Sequence, residues 1–253
     1  CNWDEEQIDS DYNNIIIVQD KNLALTYTDE FNQMWGDTGL TPNAGNSKFG
    51  PDKTDITQHT FTIGGATVEC YFSPSDATNS HILQAISSAQ SQLFFGVYTF
   101  TESVNADSIK SKYQSGVYTA GIIDQYSQSF SPYTTLHPVM GNKLQVYSQS
   151  HSIYHNKFVL ADVCNLSSDP LVETGSHNWT VSADTKNDEN TLIVHDAVTA
   201  NLYYQCFYQN LFDLGEVLVP CQVTGEEELS ADENFKFFPN PTTENCQIEV
   251  SSD

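Results

Sequence analysis

The chain has 253 residues, 39% of them hydrophobic, which suffices for one large or two medium domains with a packed core. No apolar run approaches the roughly 20 residues that are needed to span a bilayer. The chain carries 33 acidic residues against 9 lysines and no arginine, and its formal charge of -24 opposes binding to polyanions through bulk electrostatics.

The first elements of the chain repeat later in it. Residues 2–36 match residues 178–212 at a constant offset of 176, with ten identities in 35 positions and no gap. Both copies predict a strand followed by an amphipathic helix. In the first copy the helix has four apolar residues at helical spacing: Leu23, Tyr27, Phe31 and Trp35. Such self-similarity indicates a duplicated domain. Because Cys1 aligns with His177, we expect residues 1–36 to be the C-terminal remnant of a first repeat.

Residues 37–66 are punctuated by Gly, Pro, Asn and Asp and are predicted to form a linker. Residues 67–222 are predicted to form a complete domain in which strands alternate with helices. The predicted strands are 68–72, 92–100, 118–123, 144–147, 158–161 and 171–174, and the predicted helices are 80–91 and 106–114. This alternation is typical of an α/β sandwich around a mixed sheet.

The last part of the chain changes in composition. Residues 223–234 are predicted to be an acidic linker. Residues 235–253 have a strand-like pattern and are predicted to start a further unit that the sequence does not finish.

Cysteine usage suits an oxidising, extracellular setting, because the six cysteines are an even number and none forms a Cys-x-x-Cys pair. A zinc site is therefore not expected. Cys206 and Cys221 are close enough in sequence to form a local disulfide, while other pairings stay open.

Residues 155–190 hold the most informative pattern. An imidazole, an ammonium, a hydroxyl, an amide and a carboxylate follow one another there: His155, Lys157, Ser176, Asn178 and Glu189. These are the groups needed to attack a phosphodiester without a metal. A neutral imidazole attacks phosphorus, a second group protonates the leaving oxygen, and water then hydrolyses the phosphoenzyme.

Each of these residues has a predicted role. His155 is the predicted nucleophile, and Lys157, two residues on along an extended segment, places positive charge on the same face. Ser176 and Asn178 are predicted to donate hydrogen bonds to the phosphate oxygens. Glu189 is predicted to accept a hydrogen bond from the other imidazole nitrogen and so to fix the tautomer.

Three further residues are predicted to support this group. Gly175 lets the backbone approach closely, and Asp162 is expected to hold a loop or a supporting hydrogen bond. Asn190, next to Glu189, is also expected to support the site. The remaining histidines have no comparable neighbours and are expected to be structural or exposed.

The pattern His-x-Lys-x-x-x-x-Asp, followed by Gly-Ser-x-Asn, resembles the phospholipase D superfamily, most of all its bacterial nuclease and cardiolipin-hydrolase-like branch. The resemblance covers residues 68–213, with residues 1–36 as the remnant of a sister repeat. It implies an α-β-α sandwich around a mixed β-sheet, duplicated with the first copy truncated, and no cofactor or metal. It also implies that His155 acts as nucleophile or acid, that Lys157, Ser176 and Asn178 bind phosphate, and that Glu189 orients the histidine.

Two departures from that family pattern matter. The gap between Asp162 and Gly175 is longer than usual, which predicts a longer hairpin at residues 164–170. The remnant has Asn13 at the position of Glu189 and lacks its own His-x-Lys motif. Since the family builds one site from two such motifs, the resemblance implies that a second motif comes from missing N-terminal residues or from a homodimer partner.

The expected function is hydrolysis of a phosphodiester through a phosphohistidine intermediate. Because the chain has no arginine and a strong negative charge, a phospholipid headgroup is favoured over nucleic acid as substrate. An extracellular, metal-independent endonuclease of the same superfamily is one alternative. A non-catalytic module that binds phosphate is another.

The tail that begins at Phe237 with Phe-Phe-Pro-Asn-Pro resembles the start of the C-terminal sorting domain of the Bacteroidetes type IX secretion system. This resemblance implies a secreted or cell-surface location.

Overall fold

The computed structural model describes residues 10–216, 218, 235–238 and 246–251. Its strands are β1 (Asn14–Gln19), β2 (Thr60–Ile63), β3 (Ala66–Ser73), β4 (Gln92–Val97), β5 (Tyr118–Asp124), β6 (Leu144–Tyr147), β7 (Lys157–Ala161), β8 (Leu171–Gly175), β9 (Glu189–His195), β10 (Phe235–Phe238) and β11 (Cys246–Ser251). Its α-helices are α1 (Lys21–Trp35), α2 (Thr78–Ser88), α3 (Ser103–Gln114), α4 (Ser131–Met140), α5 (Val181–Thr185) and α6 (Ala197–Asp213).

Within the described residues, eight strands form the main sheet in the order β2-β3-β9-β8-β7-β4-β5-β6. The strands β4, β5 and β6 are parallel to one another, and the other neighbours in this sheet are antiparallel. The sheet is therefore mixed, as predicted. A separate group of three strands has the order β1-β11-β10, with β1 parallel to β11.

Helices cover both faces of the main sheet, which explains why β4 and β7 are almost continuously apolar. Alternate strand residues point to opposite faces. Phe94 and Leu160 belong to the core cluster that includes Phe207 of α6. Phe95 and Val159 belong to the cluster on the other face, which contains buried residues of α2, α3 and α4. The predicted α/β sandwich around a mixed sheet is confirmed.

The predicted linker at residues 37–66 is wrong at its C-terminal end. Thr60–Ile63 form β2, which pairs antiparallel with β3 and alternates between exposed and buried residues. Gly64 and Gly65, both with positive φ, make the turn of this hairpin. The boundary predicted at residue 67 therefore lies inside β3. Helix α4 was also missed, in a segment that contains two prolines.

A buried lysine joins the predicted linker to the rest of the fold. Lys53 contacts Glu30 of α1, lies 3.1 Å from the Asp188 carboxylate and donates to the carbonyl oxygen of Ser73 at 2.8 Å. Asp188 also accepts a hydrogen bond from the backbone N–H of Gly50 at 2.8 Å. These contacts connect helix α1 with the start of β9.

Several sequence predictions lie wholly or partly outside the described residues. Residues 1–9 and the acidic linker are among these. That residues 1–36 are the remnant of a first repeat, and that the tail begins a sorting domain, therefore stay predictions.

Cys164 and Cys206 each take part in a disulfide, and Cys70 is free and buried. Cys221 is not described, so its pairing with Cys206 stays a prediction. None of the described helices is both long and apolar enough to cross a membrane.

Asp162 holds the loop that joins β7 to β8. It has a left-handed backbone conformation, with φ of 53°, and its carboxylate accepts the backbone N–H groups of Gln90, Ser91 and Gln92 at 2.7–3.0 Å. Burial acts to raise the pKa of the Asp162 carboxyl, but hydrogen bonds from the Ser168 hydroxyl and from these backbone N–H groups lower it overall. Asp162 therefore stabilises the start of β4.

We expect Asp162→Ala to destabilise the protein by about 1–3 kcal/mol at pH 7, because three partly buried backbone N–H groups lose their acceptor. The pKa of Asp162 is depressed on folding, so this stabilisation is present above the ordinary carboxyl pKa and is lost as the pH falls through the lowered value. Urea unfolding across this pH range measures the effect. Asp107→Ala, at an exposed position of α3, is the control and should change stability by less than about 0.5 kcal/mol. Equal effects of the two substitutions would contradict the role given to Asp162.

Candidate active site

A cavity of about 210 Å³ opens at one end of the main sheet. It is lined by all five residues predicted to be catalytic and by three others: Asn13, Asn14, His155, Lys157, Gly175, Ser176, Asn178 and Glu189. The strands β7, β8 and β9 are antiparallel neighbours, so the start of β7, the end of β8 and the start of β9 meet at the same end of the sheet. This topology brings together groups that are up to 34 residues apart between His155 and Glu189.

His155 precedes β7 and points one ring nitrogen at the first part of the chain. Its Nδ1 lies 3.0 Å from the side-chain oxygen of Asn13, and its ring centroid lies 5.0 Å from that of Tyr98. An amide oxygen only accepts hydrogen bonds, so Nδ1 carries the ring proton and Nε2 keeps its lone pair. Among the described residues, none is hydrogen-bonded to Nε2.

Burial and the neighbouring Lys157 ammonium lower the pKa of His155 to about 3. Desolvation disfavours the charged imidazolium, and a cation beside it acts in the same direction. The imidazole is therefore neutral at physiological pH, which is the state that a nucleophilic nitrogen requires.

The predicted contact between Glu189 and His155 is wrong. Glu189 instead accepts a hydrogen bond from the Ser176 hydroxyl at 2.6 Å and one from the Asn187 side chain at 3.2 Å. The physical reason is that Asn13, which precedes β1, occupies the hydrogen-bonding position at Nδ1 of His155.

Lys157 is the first residue of β7, and its side chain is buried, with 5% of the residue exposed. Its Nζ donates to the carbonyl oxygen of His155 at 2.6 Å and lies 5.4 Å from the centre of the Tyr98 ring. Burial lowers the pKa of Lys157 to about 7, although the carboxylates of Glu189 and Asp11 oppose this shift. Lys157 is therefore the cation that can meet an anion in the cavity.

Ser176 and Asn178, which follow β8, offer different hydrogen-bonding groups. The Asn178 oxygen accepts the backbone N–H of Thr99 at 3.2 Å, so its NH₂ group is the part that can donate to a ligand. The Ser176 proton is directed at Glu189. Ser176 can donate to a phosphate only after it gives up that contact.

The three supporting residues have different positions. Asn190 lies behind Ser176, where its backbone N–H donates to the Ser176 hydroxyl at 3.1 Å. Gly175 lines the cavity, but its close approach is to the neighbouring strand, since an added Cβ would lie 2.1 Å from the Asn190 carbonyl oxygen. Asp162 lies at the other end of β7, about 16 Å away at ~3.3 Å per strand residue, and therefore does not reach the cavity.

Three residues around the cavity were not predicted as members of the site. Asn13 and Asn14 belong to the first copy of the repeat, and Tyr98 follows β4. The repeat offset was the signal for Asn13, because it aligns this residue with Glu189.

A group that could hold a metal ion lies away from this cavity. It consists of Asp55, His59 and Asp76, whose ligand atoms are within 4.8 Å of one another. Both nitrogens of His59 already form hydrogen bonds, with Asp55 at 3.1 Å and with the Cys70 carbonyl oxygen at 2.9 Å. None of the three residues lines the site.

Comparison with known families decides the classification. The family model described as the PLD-like domain of cardiolipin synthase matches residues 82–211, just over half of the chain.

The chain belongs to the PLD-like family.

Two relatives of this PLD-like chain illustrate the match. A phospholipase D from Rickettsia bellii is 27% identical over 144 residues, which cover 56% of this chain and 68% of the relative. A mitochondrial cardiolipin hydrolase from Xenopus tropicalis is 31% identical over 139 residues, which cover 54% of this chain and 63% of the relative. The names of these relatives support a phosphodiesterase.

The crystal structure of Nuc from Salmonella typhimurium, a phospholipase D family member, has the same fold. It matches 59% of this chain and 95% of its own with a TM-score of 0.50, at 24% sequence identity. The mixed sheet described above is thus the fold of the PLD-like family.

Anion binding in this PLD-like site should depend on the charge of Lys157. We expect the affinity for dimethyl phosphate, a diester that keeps one charge at neutral pH, to be highest below pH 7. Above it the affinity should fall by about tenfold per pH unit as Lys157 deprotonates. Titrations followed by ³¹P NMR between pH 6 and 9 measure this.

Lys157→Arg should remove the pH dependence, because the guanidinium stays charged in this range. Lys110→Arg, on α3, is the matched control and should behave as the wild type. A flat profile for the wild-type protein would contradict the role of Lys157.

Proposed function

We propose that this chain supplies one half of a metal-independent phosphodiesterase site that works through a phosphohistidine at His155. The observation that carries the proposal is the cavity itself. The neutral imidazole of His155, the Lys157 ammonium and the Asn178 amide all line it. These are a nucleophile and two groups that can stabilise charge on the non-bridging oxygens.

In the proposed first step, Nε2 of His155 attacks phosphorus and forms a P–N bond. The P–O bond to the leaving group breaks, and a general acid gives that oxygen a proton. In the second step, water attacks the phosphohistidine after losing a proton to the same group. The P–N bond breaks, and the imidazole is restored.

The general acid is proposed to come from a second His-x-Lys motif, either in preceding residues or in a second copy of the chain. The support is a reciprocal pair of hydrogen bonds between the two copies of the repeat. Tyr203 donates to the side chain of Asn14 at 2.9 Å, and Tyr27 donates to that of Asn190 at 3.3 Å. Each pair member has its equivalent at the offset of 176.

The helices that follow β1 and β9 begin with equivalent caps, which also supports a duplication. Asp20 caps α1 and Asp196 caps α6 by accepting the backbone N–H three residues on. The exchange of equivalent contacts across the cavity is what an approximate two-fold axis through the site would produce. The duplication is thus proposed from structure as well as from sequence.

A phospholipid is the proposed substrate. A second cavity of about 280 Å³ shares Glu189 with the active site, and its walls include Tyr27, Phe31, Met34 and Phe72. Phe31 is 50% exposed, whereas its equivalent in α6, Phe207, is fully buried. Although Glu30, Lys53 and Asp188 also line this cavity, its apolar side chains suit an acyl chain. The net charge of -24 disfavours long polyanions.

Nucleic acid is the second candidate substrate, as for an extracellular endonuclease. The observation in its favour is a pair of stacked rings beside the cavity. Tyr98 and Tyr126 have centroids 5.9 Å apart, and Tyr126 is 55% exposed. Exposed aromatic faces of this kind can stack on bases.

A secreted or cell-surface location is also proposed. Its support is that Cys164 and Cys206 are both disulfide-bonded, which fits an oxidising compartment.

Replacing the nucleophile should abolish turnover. In the natural full-length protein we expect His155→Ala to lower phosphodiesterase activity by about 10³-fold or more. Acid-quenched reactions with labelled substrate should yield phosphohistidine in the wild type and none in the variant. His151→Ala, which removes an exposed histidine, is the control. A wild type that turns substrate over in EDTA without forming phosphohistidine would exclude the covalent route, and one that only binds phosphate would favour the non-catalytic module.

Substrate choice should depend on Phe31. With EDTA present, we expect headgroup release from phosphatidylcholine or cardiolipin vesicles and no nicking of plasmid DNA. Phe31→Ser should slow phospholipid hydrolysis several-fold and leave hydrolysis of bis(p-nitrophenyl) phosphate unchanged, because only the lipid has acyl chains to bind. Phe212→Ser is the matched control, since Phe212 is similarly exposed at 56% but lies on α6. DNA nicking without headgroup release would instead support the endonuclease.

A further inference from the structure

The two equivalent positions 13 and 189 carry different chemical groups. They align at the repeat offset of 176, and both line the active-site cavity. Position 13 has an uncharged amide, whereas position 189 has a carboxylate. The two-fold related halves of the proposed site are therefore chemically unequal at these two positions.

The amide fixes the state of His155. Its oxygen lies 3.0 Å from Nδ1, so it holds the ring proton on that atom. A carboxylate in the same place would attract the imidazolium, but an amide has no charge with which to do so.

The groups on the neighbouring elements do not supply that charge, because none of their carboxylates contributes to the pKa shift of the His155 ring. Lys157, on β7, is a cation, and Tyr98, after β4, is a neutral phenol whose pKa is raised by burial. Asp11, before β1, accepts the backbone N–H of Ile153, and Asp124, at the end of β5, accepts those of Tyr126 and Tyr154. Glu189, across the cavity, is bound to Ser176.

We propose that Asn13 is a positioning residue that keeps His155 as the neutral Nδ1–H tautomer and so commits this histidine to the nucleophile's role. Glu189 is the matching partner for the imidazole of the other half, which it prepares to donate a proton. The assignment rests on the proposed function, because it divides the two steps of that reaction between two unequal histidines.

The division agrees with the proton balance of the reaction. The nucleophile must have an unprotonated Nε2, and the imidazole that protonates the leaving oxygen must carry an extra proton. A carboxylate stabilises that second imidazolium, whereas an amide leaves the first imidazole neutral. Asn13 is uncharged and Glu189 carries a negative charge, and this difference in charge separates the two roles.

The test is an NMR titration of the His155 ring in wild type, Asn13→Asp and Asn13→Leu. In the wild type we expect the neutral Nδ1–H tautomer down to about pH 5. Asn13→Asp, which is isosteric, should raise the pKa of His155 by about 1–3 units, as a carboxylate does for a neighbouring cation. Asn13→Leu should leave the ring neutral but without a preferred tautomer.

The matched control is Asn142→Asp, which adds the same charge at an exposed position and should leave His155 unchanged. If Asn13→Asp titrates as the wild type does, Asn13 does not position the ring and the proposal is overturned. Should Asn13→Leu fail to fold, Asn13→Asp decides alone. Because the titration needs no turnover, its result is separate from that of the phosphohistidine experiment, which tests the proposed function.

Discussion

The register of four neighbouring strands, each antiparallel to the next, brings the residues of the candidate site together. Lys157 pairs with Val97, and Gly175 pairs with Thr191, so the ends of β4, β7, β8 and β9 lie side by side. Gly175 enforces the close contact of β8 with β9, because no side chain fits against the Asn190 carbonyl. A slip of one residue would turn every side chain of a strand to the other face. The order of groups in the motif therefore becomes a spatial cluster only in this register.

Burial then sets the charge of that cluster. Two basic groups, His155 and Lys157, are partly or fully buried beside one cavity, and each would repel the other if both were charged. The imidazole is the group that stays unprotonated, because its ordinary pKa is lower than that of an ammonium. Lys157 therefore keeps a partial positive charge. An anionic ligand would add to the effect of the Glu189 and Asp11 carboxylates and raise the pKa of Lys157.

The sequence predicts most of the fold and most of the site, for local reasons. Strand periodicity locates β4 and β7, and the spacing of His155 and Lys157 on one extended segment implies that they act together. The partner of His155 could not be predicted in this way. Asn13 is 142 residues away, and its contact depends on how the β1 segment lies across the domain. The hairpin of β2 was missed because its two glycines were assigned to a linker, although they form a turn.

The buried contacts of Lys53 hold the segment around it to the rest of the fold. Residues 37–46 are exposed throughout, as a protease-sensitive loop would be. Lys53 lies beyond that loop, yet it binds Glu30 before it and Asp188 next to the site. A single peptide-bond cleavage between residues 37 and 46 would therefore leave two fragments held together by these contacts. The nicked protein would keep Asn13 and Asn14 beside the candidate site, as a two-chain form of the same molecule.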